Sequence, residues 1–173
     1  LIGLLTYLAT DSALRHITFW SLGSLASASY FWLALCSIAL IILCVWLPKQ
    51  HRKLDAILLG QAEANTMGVD VKRLQKQSIV LVALLASLAV SACGIIGFIG
   101  LVTPHIGRML VGASHRYLLP LSFFLGGSLL VIADSLARTI IAPAELPIGI
   151  VTALIGAPVF IWLLLREGRR LQW

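Results

Sequence analysis

Polar and apolar positions along this chain fall into long blocks, without the short alternation of a soluble domain. From Gln77 to Gly107 there are thirty-one residues with no Lys, Arg, Asp or Glu, closed by Lys76 at one end and Arg108 at the other. Read as one helix, the block is about 46 Å long at 1.5 Å per residue, well beyond a hydrocarbon core of about 30 Å. Basic residues favour the cytoplasmic side, so Lys76 and Arg108 belong on the same side and the block crosses an even number of times. It predicts a tight membrane hairpin, residues 78–94 outward and a short span 97–110 back, turning around Gly94, Gly97 and Gly100. Glycine there permits φ > 0 or a close helix crossing. The second leg, from Phe98, carries Pro104 and His105. Irregular, Gly-rich backbone at membrane depth is tolerated where it is buried in protein or lines a cavity. That points to a polytopic transporter or channel.

The other blocks extend this topology. Residues 1–10, LIGLLTYLAT, read as the outer end of a helix. With no initiator Met, the chain is expected to be the C-terminal part of a longer protein, about five and a half spans of it. Residues 12–25 predict a short outer helix, begun by Asp11 or Ser12 and ended by Gly23, with Trp20 in the aromatic belt. It is either an interfacial helix or a gate at the outer mouth, where His16 is accessible to a cargo. Residues 30–48 form the next span. Residues 49–77, on the cytoplasmic side, predict two short helices: one with Leu54, Ile57 and Leu58 that breaks at Gly60, and one from Gln61 to Met67 capped by Gly68. Leu54, Ile57, Leu58, Leu59 and Met67 need a cover, either the protein's own helices or a cytosolic partner. In the span 118–141, Asp134 and Arg138 are spaced i, i+4 and can pair on one helix face, as a clamp or as part of a translocation path. An outer loop with Glu145 and Pro147 leads to the last span, 147–166, in which Gly149, Gly156 and Ala157 allow close helix approach and Pro158 introduces a kink.

Composition agrees. Hydrophobic residues make up 60%, charged residues 12%, and the mean hydropathy of +0.99 excludes an ordinary soluble domain. Eleven of the thirteen basic residues fall in three clusters that this topology puts in the cytoplasm. The net charge of +6 thus reflects membrane orientation. A nucleic-acid partner is disfavoured, because no basic stripe interleaves with aromatics. Cys36, Cys44 and Cys93 lie in apolar runs without metal-ligand spacing and read as small core residues. No catalytic site, metal site or cofactor is expected. His105 reads as a histidine bonded to a neighbouring backbone group; the alternative is a membrane haem-binding or redox subunit with His16 or His105 as ligand.

Four stretches together, GIIGFIGLVTPHIGRML, ADSLAR, AELPIGIVTALIGAPVFIWLLL and LLGQAEANTMGV, strongly resemble the FecCD-type permeases. These are the membrane subunits of ABC importers for ferric siderophores, haem and cobalamin. The resemblance implies an all-α polytopic bundle of the type II ABC importer permease fold, with ten helices in the whole subunit. It also implies a second permease copy with the translocation path between the two, a pair of ABC ATPase subunits below, and a periplasmic substrate-binding protein above. The site would be the bacterial inner membrane, surrounded by membrane lipid. The family's coupling element maps onto Leu54–Val69, including Gly60, Ala64 and Gly68, and its outer gate helix onto about Ser12–Leu25. The chain has no Walker A loop, so ATP hydrolysis is expected on a separate subunit. TDSALRHITFWSLGSL looks more like haem and ferric-siderophore members than the cobalamin member.

Overall fold

The computed structural model describes residues 20–25, 29–140 and 146–170, and their regular structure is entirely helical. The first long helix, α1 (Tyr30–Ile57), runs unbroken for 28 residues through Pro48, about 42 Å of helix. A span closing near residue 48 and a separate first coupling helix are therefore replaced by one element. The cationic stretch after Pro48 ends the membrane-embedded surface, but its residues are ordinary helix formers and do not end the helix. The break comes at Gly60, whose φ of 123° is open only to glycine.

The short helix α2 (Gln61–Thr66) follows. Gly68, at φ 79°, donates its N–H to the Asn65 carbonyl at 3.0 Å, and Val69 donates to Ala64 at 3.0 Å, which closes the helix end in a Schellman arrangement. Asp70 then caps α3 (Val71–Cys93) by accepting the Arg73 N–H at 3.0 Å. Because α3 begins at Val71, the irregular part of the cytoplasmic loop shrinks from both sides. The chain continues with α4 (Ile99–Val111), α5 (His115–Ile140) and α6 (Ile148–Arg170).

Among the described residues, α1, α3 and α5 are long and apolar enough to cross a membrane, whereas α4 and the stretch Ile148–Trp162 of α6 are shorter. The sequence pattern likewise makes 97–110 the short span, and α6 as a whole runs for 23 residues. The 13 residues of α4 supply about 20 Å, too little for a core of about 30 Å. Its Phe98 end must therefore sit at membrane depth inside protein. Small residues bring α4 onto α5: a Cβ on Gly107 would lie 2.9 Å from Leu118 Cδ1, and one on Gly126 would lie 3.5 Å from Ile99 Cγ2. A core of Ala133, Ala137, Ile148 and Val151 joins α5 to α6, with Leu25, Ile96, Leu130 and Leu146 around it. By contrast, α1 buries no residue among those described. The chain ends of the elements fit the alternating topology. The end of α1 meets the start of α5, while residues 20–24 meet the end of α3 and the start of α6.

Candidate functional site

The outer ends of the helices meet in a junction made mostly of backbone. Ser24 N–H donates to the Cys93 carbonyl at 2.8 Å, Ile95 N–H to Trp20 at 3.3 Å, and Ile148 N–H to Gly23 at 3.1 Å. These bonds satisfy groups that hydrocarbon could not. Gly23 and Gly94 both have φ of 73°. A Cβ on Gly94 would run into the Trp20 carbonyl, one on Gly23 would come within 2.7 Å of the Ile95 carbonyl, and one on Gly149 would strike the Leu22 carbonyl. Three strands of backbone thus touch where any side chain would separate them.

Phe98 lies just below. Its φ of 67° is rare for a non-glycine residue, and Ile99 N–H closes a γ-turn over it to the Gly97 carbonyl at 2.9 Å. The Phe98 carbonyl accepts from Leu101 and Val102 at 3.0 and 2.9 Å and so starts α4. Its side chain presses on Gly156 of α6. Beside it, between α4, α5 and α6, lies an apolar cavity of about 90 Å³ bordered by Val102, Leu129, Thr152 and Ile155.

Two glycines assigned to the hairpin turn do not serve it. Gly97 and Gly100 have no positive φ, and a Cβ on either meets nothing within 4 Å among the described residues. Gly100 is already inside α4. The reversal runs from Gly94 to Phe98, and of the three glycines only Gly94 is required by its conformation.

At the opposite end of the helices, Asp55 near the end of α1 reaches the start of α5. Its Oδ1 accepts the His115 backbone N–H and the His115 Nδ1–H, both at 2.7 Å, and its Oδ2 accepts from Ser114 Oγ at 3.1 Å. A carboxylate at a helix N-terminus also meets the positive end of the helix dipole. Burial pushes the Asp55 carboxyl up, but the hydrogen bonds from the His115 backbone, the His115 ring and Ser114 outweigh it and hold it below its ordinary value. Beside this clamp the segment 54–67 divides. Ala64 is fully buried and Leu54 and Ile57 are half-buried, whereas Leu58, Leu59 and Met67 are 52%, 63% and 62% exposed. Among the described residues, the protein's own helices leave these three side chains uncovered.

The remaining candidates lie apart from both places. Arg138 Nε donates to Asp134 Oδ2 at 2.8 Å along α5, partly exposed. Pro147 directly precedes α6. His105 is half-buried on α4 next to Pro104, and its ring makes no hydrogen bond among the described residues. His16, Glu145 and residues 1–10, together with most of the segment 12–25, lie outside the described residues. Cys36 and Cys93 are half-buried, but Cys44 is exposed on α1 and not a core residue; all three are free thiols. Sequence reasoning missed Asp55, Ser114 and His115, and it did not see that Gly149 faces Leu22. A serine before an apolar run signals a helix start, so Ser114 marked the true beginning of α5. Nothing local pointed to Asp55.

Comparison with known proteins adds identity. The hemin transport system permease protein of Yersinia pestis is 45% identical over 166 residues, covering 96% of this chain and 50% of that protein. The vitamin B12 import system permease protein of Vibrio vulnificus is 44% identical over 93% of this chain and 48% of its own length. The Fe(3+) dicitrate transport system permease protein of Escherichia coli is 42% identical over 92% and 50%. This chain therefore spans about half the length of the curated relatives it matches. A solved transporter described as of the metal-chelate ABC type, in an inward-facing conformation, superposes with a TM-score of 0.85 at 36% identity, over 95% of this chain and 54% of that one. The model of the FecCD transport family matches residues 1–166, and the chain belongs to that family.

Proposed function

We propose that this chain works as part of the membrane permease subunit of an ABC importer that carries an iron complex, haem or a ferric siderophore, into the bacterial cytoplasm. Its partners would be ABC ATPase subunits, a second permease copy and a periplasmic substrate-binding protein, in the inner membrane. ATP hydrolysis belongs to the ATPase subunits. The observation that carries the reading is the exposed apolar edge of Leu58, Leu59 and Met67 on a segment shaped by turns at Gly60 and Gly68 and tied to α5 through Asp55. A cytoplasmic surface of that kind calls for a protein partner. An ATPase docked there would push on α1 and α2, and Asp55 would pass the movement to α5. Packed against α5 through Gly107 and Gly126, α4 would then tilt about the strained turn at Phe98, with the neighbouring cavity giving it room. The outer junction at Gly23, Gly94 and Gly149 would act as the fixed end.

The test uses the complete permease with its ATPase in proteoliposomes. Charged substitutions at Leu58 and Met67 remove apolar contact of about 1.5–3 kcal/mol each. The Leu58→Asp, Met67→Asp double variant should insert and dimerise yet lose ATPase binding and uptake; normal uptake would sink the proposal. A corrinoid is the second cargo reading, favoured by the near-equal identity to the vitamin B12 permease. Uptake of hemin, ferric siderophore and cobalamin side by side decides between them.

A further inference from the structure

A groove of about 550 Å³ opens between the cytoplasmic halves of α1 and α3, and the coupling mechanism has no use for it. Its walls change character along their length. Arg73 and Lys76 stand at the cytoplasmic end, Val80, Leu81 and Leu84 follow along α3, and Trp46 of α1 lines the same groove. From Arg73 to Leu84 the helix rises about 16 Å, close to one leaflet of a hydrocarbon core of about 30 Å. The polarity gradient along the groove therefore runs the same way as the gradient from headgroup to acyl chain. Trp46 adds an indole, a side chain suited to the boundary between headgroups and acyl chains.

The cations have no competing use. Among the described residues neither Arg73 nor Lys76 takes part in an ion pair, and Asp70 is engaged with the Arg73 backbone N–H. Gln77, next along α3, adds an amide to the groove wall. We propose that this groove binds one anionic phospholipid of the cytoplasmic leaflet, its phosphate between Arg73 and Lys76 and an acyl chain along Val80 and Leu84. Basic pockets between membrane helices on the cytoplasmic side hold anionic headgroups by this combination of charge and apolar wall. The proposal rests on the membrane orientation of the chain and not on the identity of the cargo. Lipid in this groove would brace the start of α3 against α1 beside the coupling segment.

The test is lipid retention by the full-length permease, read by native mass spectrometry from micelles containing equal phosphatidylglycerol and phosphatidylcholine. The wild type should keep phosphatidylglycerol in preference, and the Arg73→Gln, Lys76→Gln double variant should lower that preference roughly tenfold. The charge-keeping pair Arg73→Lys, Lys76→Arg should retain it. A readout without charge substitution comes from phosphatidylglycerol brominated on its acyl chains. It should quench the fluorescence of the wild type more than that of the Trp46→Phe variant, whereas brominated phosphatidylcholine should not separate the two. Equal phosphatidylglycerol retention by wild type and the neutralised variant would overturn the proposal. So would unchanged retention with loss of ATPase binding in lipid-free detergent, which would give the cations to a protein contact. If the orientation itself were wrong, the wild type would retain neither lipid in preference and its 49–77 segment would be labelled from outside the cell.

Discussion

Replacing Asp55 with Ala tests the joint between the coupling segment and the transmembrane bundle. The substitution removes one carboxylate and three hydrogen bonds, two of them at 2.7 Å, and leaves the His115 N–H at the start of α5 without its acceptor. A hydrogen bond to a charged group contributes about 1.5–3 kcal/mol, and the helix dipole adds about 0.3–1 kcal/mol. These contributions do not simply add, because all three bonds share one side chain that is 31% exposed and water replaces part of each. We expect a combined loss of about 2–3 kcal/mol. The pH dependence has a definite sign. The folded-state carboxyl titrates below its ordinary value of 3.8. Its contribution is therefore fully present above the unfolded value and disappears as pH falls through the lower folded one. Denaturant unfolding of the complete permease in detergent should show the full Asp55→Ala deficit at pH 7. The two proteins should converge only as the pH drops below about 4. Asp55→Asn, which keeps an acceptor but no charge, should fall between them. Hydrogen exchange gives the local readout: the His115 amide and the first turn of α5 should lose protection, while the middle of α3 should not. Equal stability of Asp55→Ala and wild type at pH 7, with unchanged exchange at His115, would refute the clamp.

Three further outcomes follow from the junction and from α5. Gly94→Ala should cost about 2–4 kcal/mol, from the left-handed backbone and the collision with the Trp20 carbonyl, whereas Gly100→Ala in open helix should be neutral or stabilise by up to about 1 kcal/mol; parallel unfolding curves decide, and equal damage at both would restore Gly100 to the turn. Gly156→Ala should destabilise by about 1–3 kcal/mol against the Phe98 side chain, and adding Phe98→Gly, which removes the Cβ facing Gly156 and suits the positive φ, should recover part of that loss. A double-mutant cycle with no coupling would separate the two residues. Arg138→Ala removes the 2.8 Å donor from Asp134 and should lower expression more than the double change Asp134→Ala, Arg138→Ala, the penalty being about 1–3 kcal/mol for the stranded carboxylate; identical expression of single and double variants would argue against the pair.

The apolar spans and the helical class were legible in the sequence because each is a local sum. Twenty apolar residues enter a bilayer whatever their neighbours. The exposed edge of Leu58, Leu59 and Met67 was visible too, as apolar residues with nothing nearby to cover them. The ends of helices were less legible. Charge marks where α1 and α3 leave the membrane, but helices stop at backbone signals such as Gly60 and Asp70, and the two boundaries differ. What only the tertiary structure decided is which small residues matter. Gly94, Gly97 and Gly100 look alike in a row, yet only Gly94 faces another backbone, and it does so because residues 20–23 lie against it. Gly149 completes that contact from α6, and Asp55 finds His115 sixty positions later. Close approach and hydrogen bonding depend on the identity of a distant partner at a distance of a few ångströms, and no local window of sequence contains that partner.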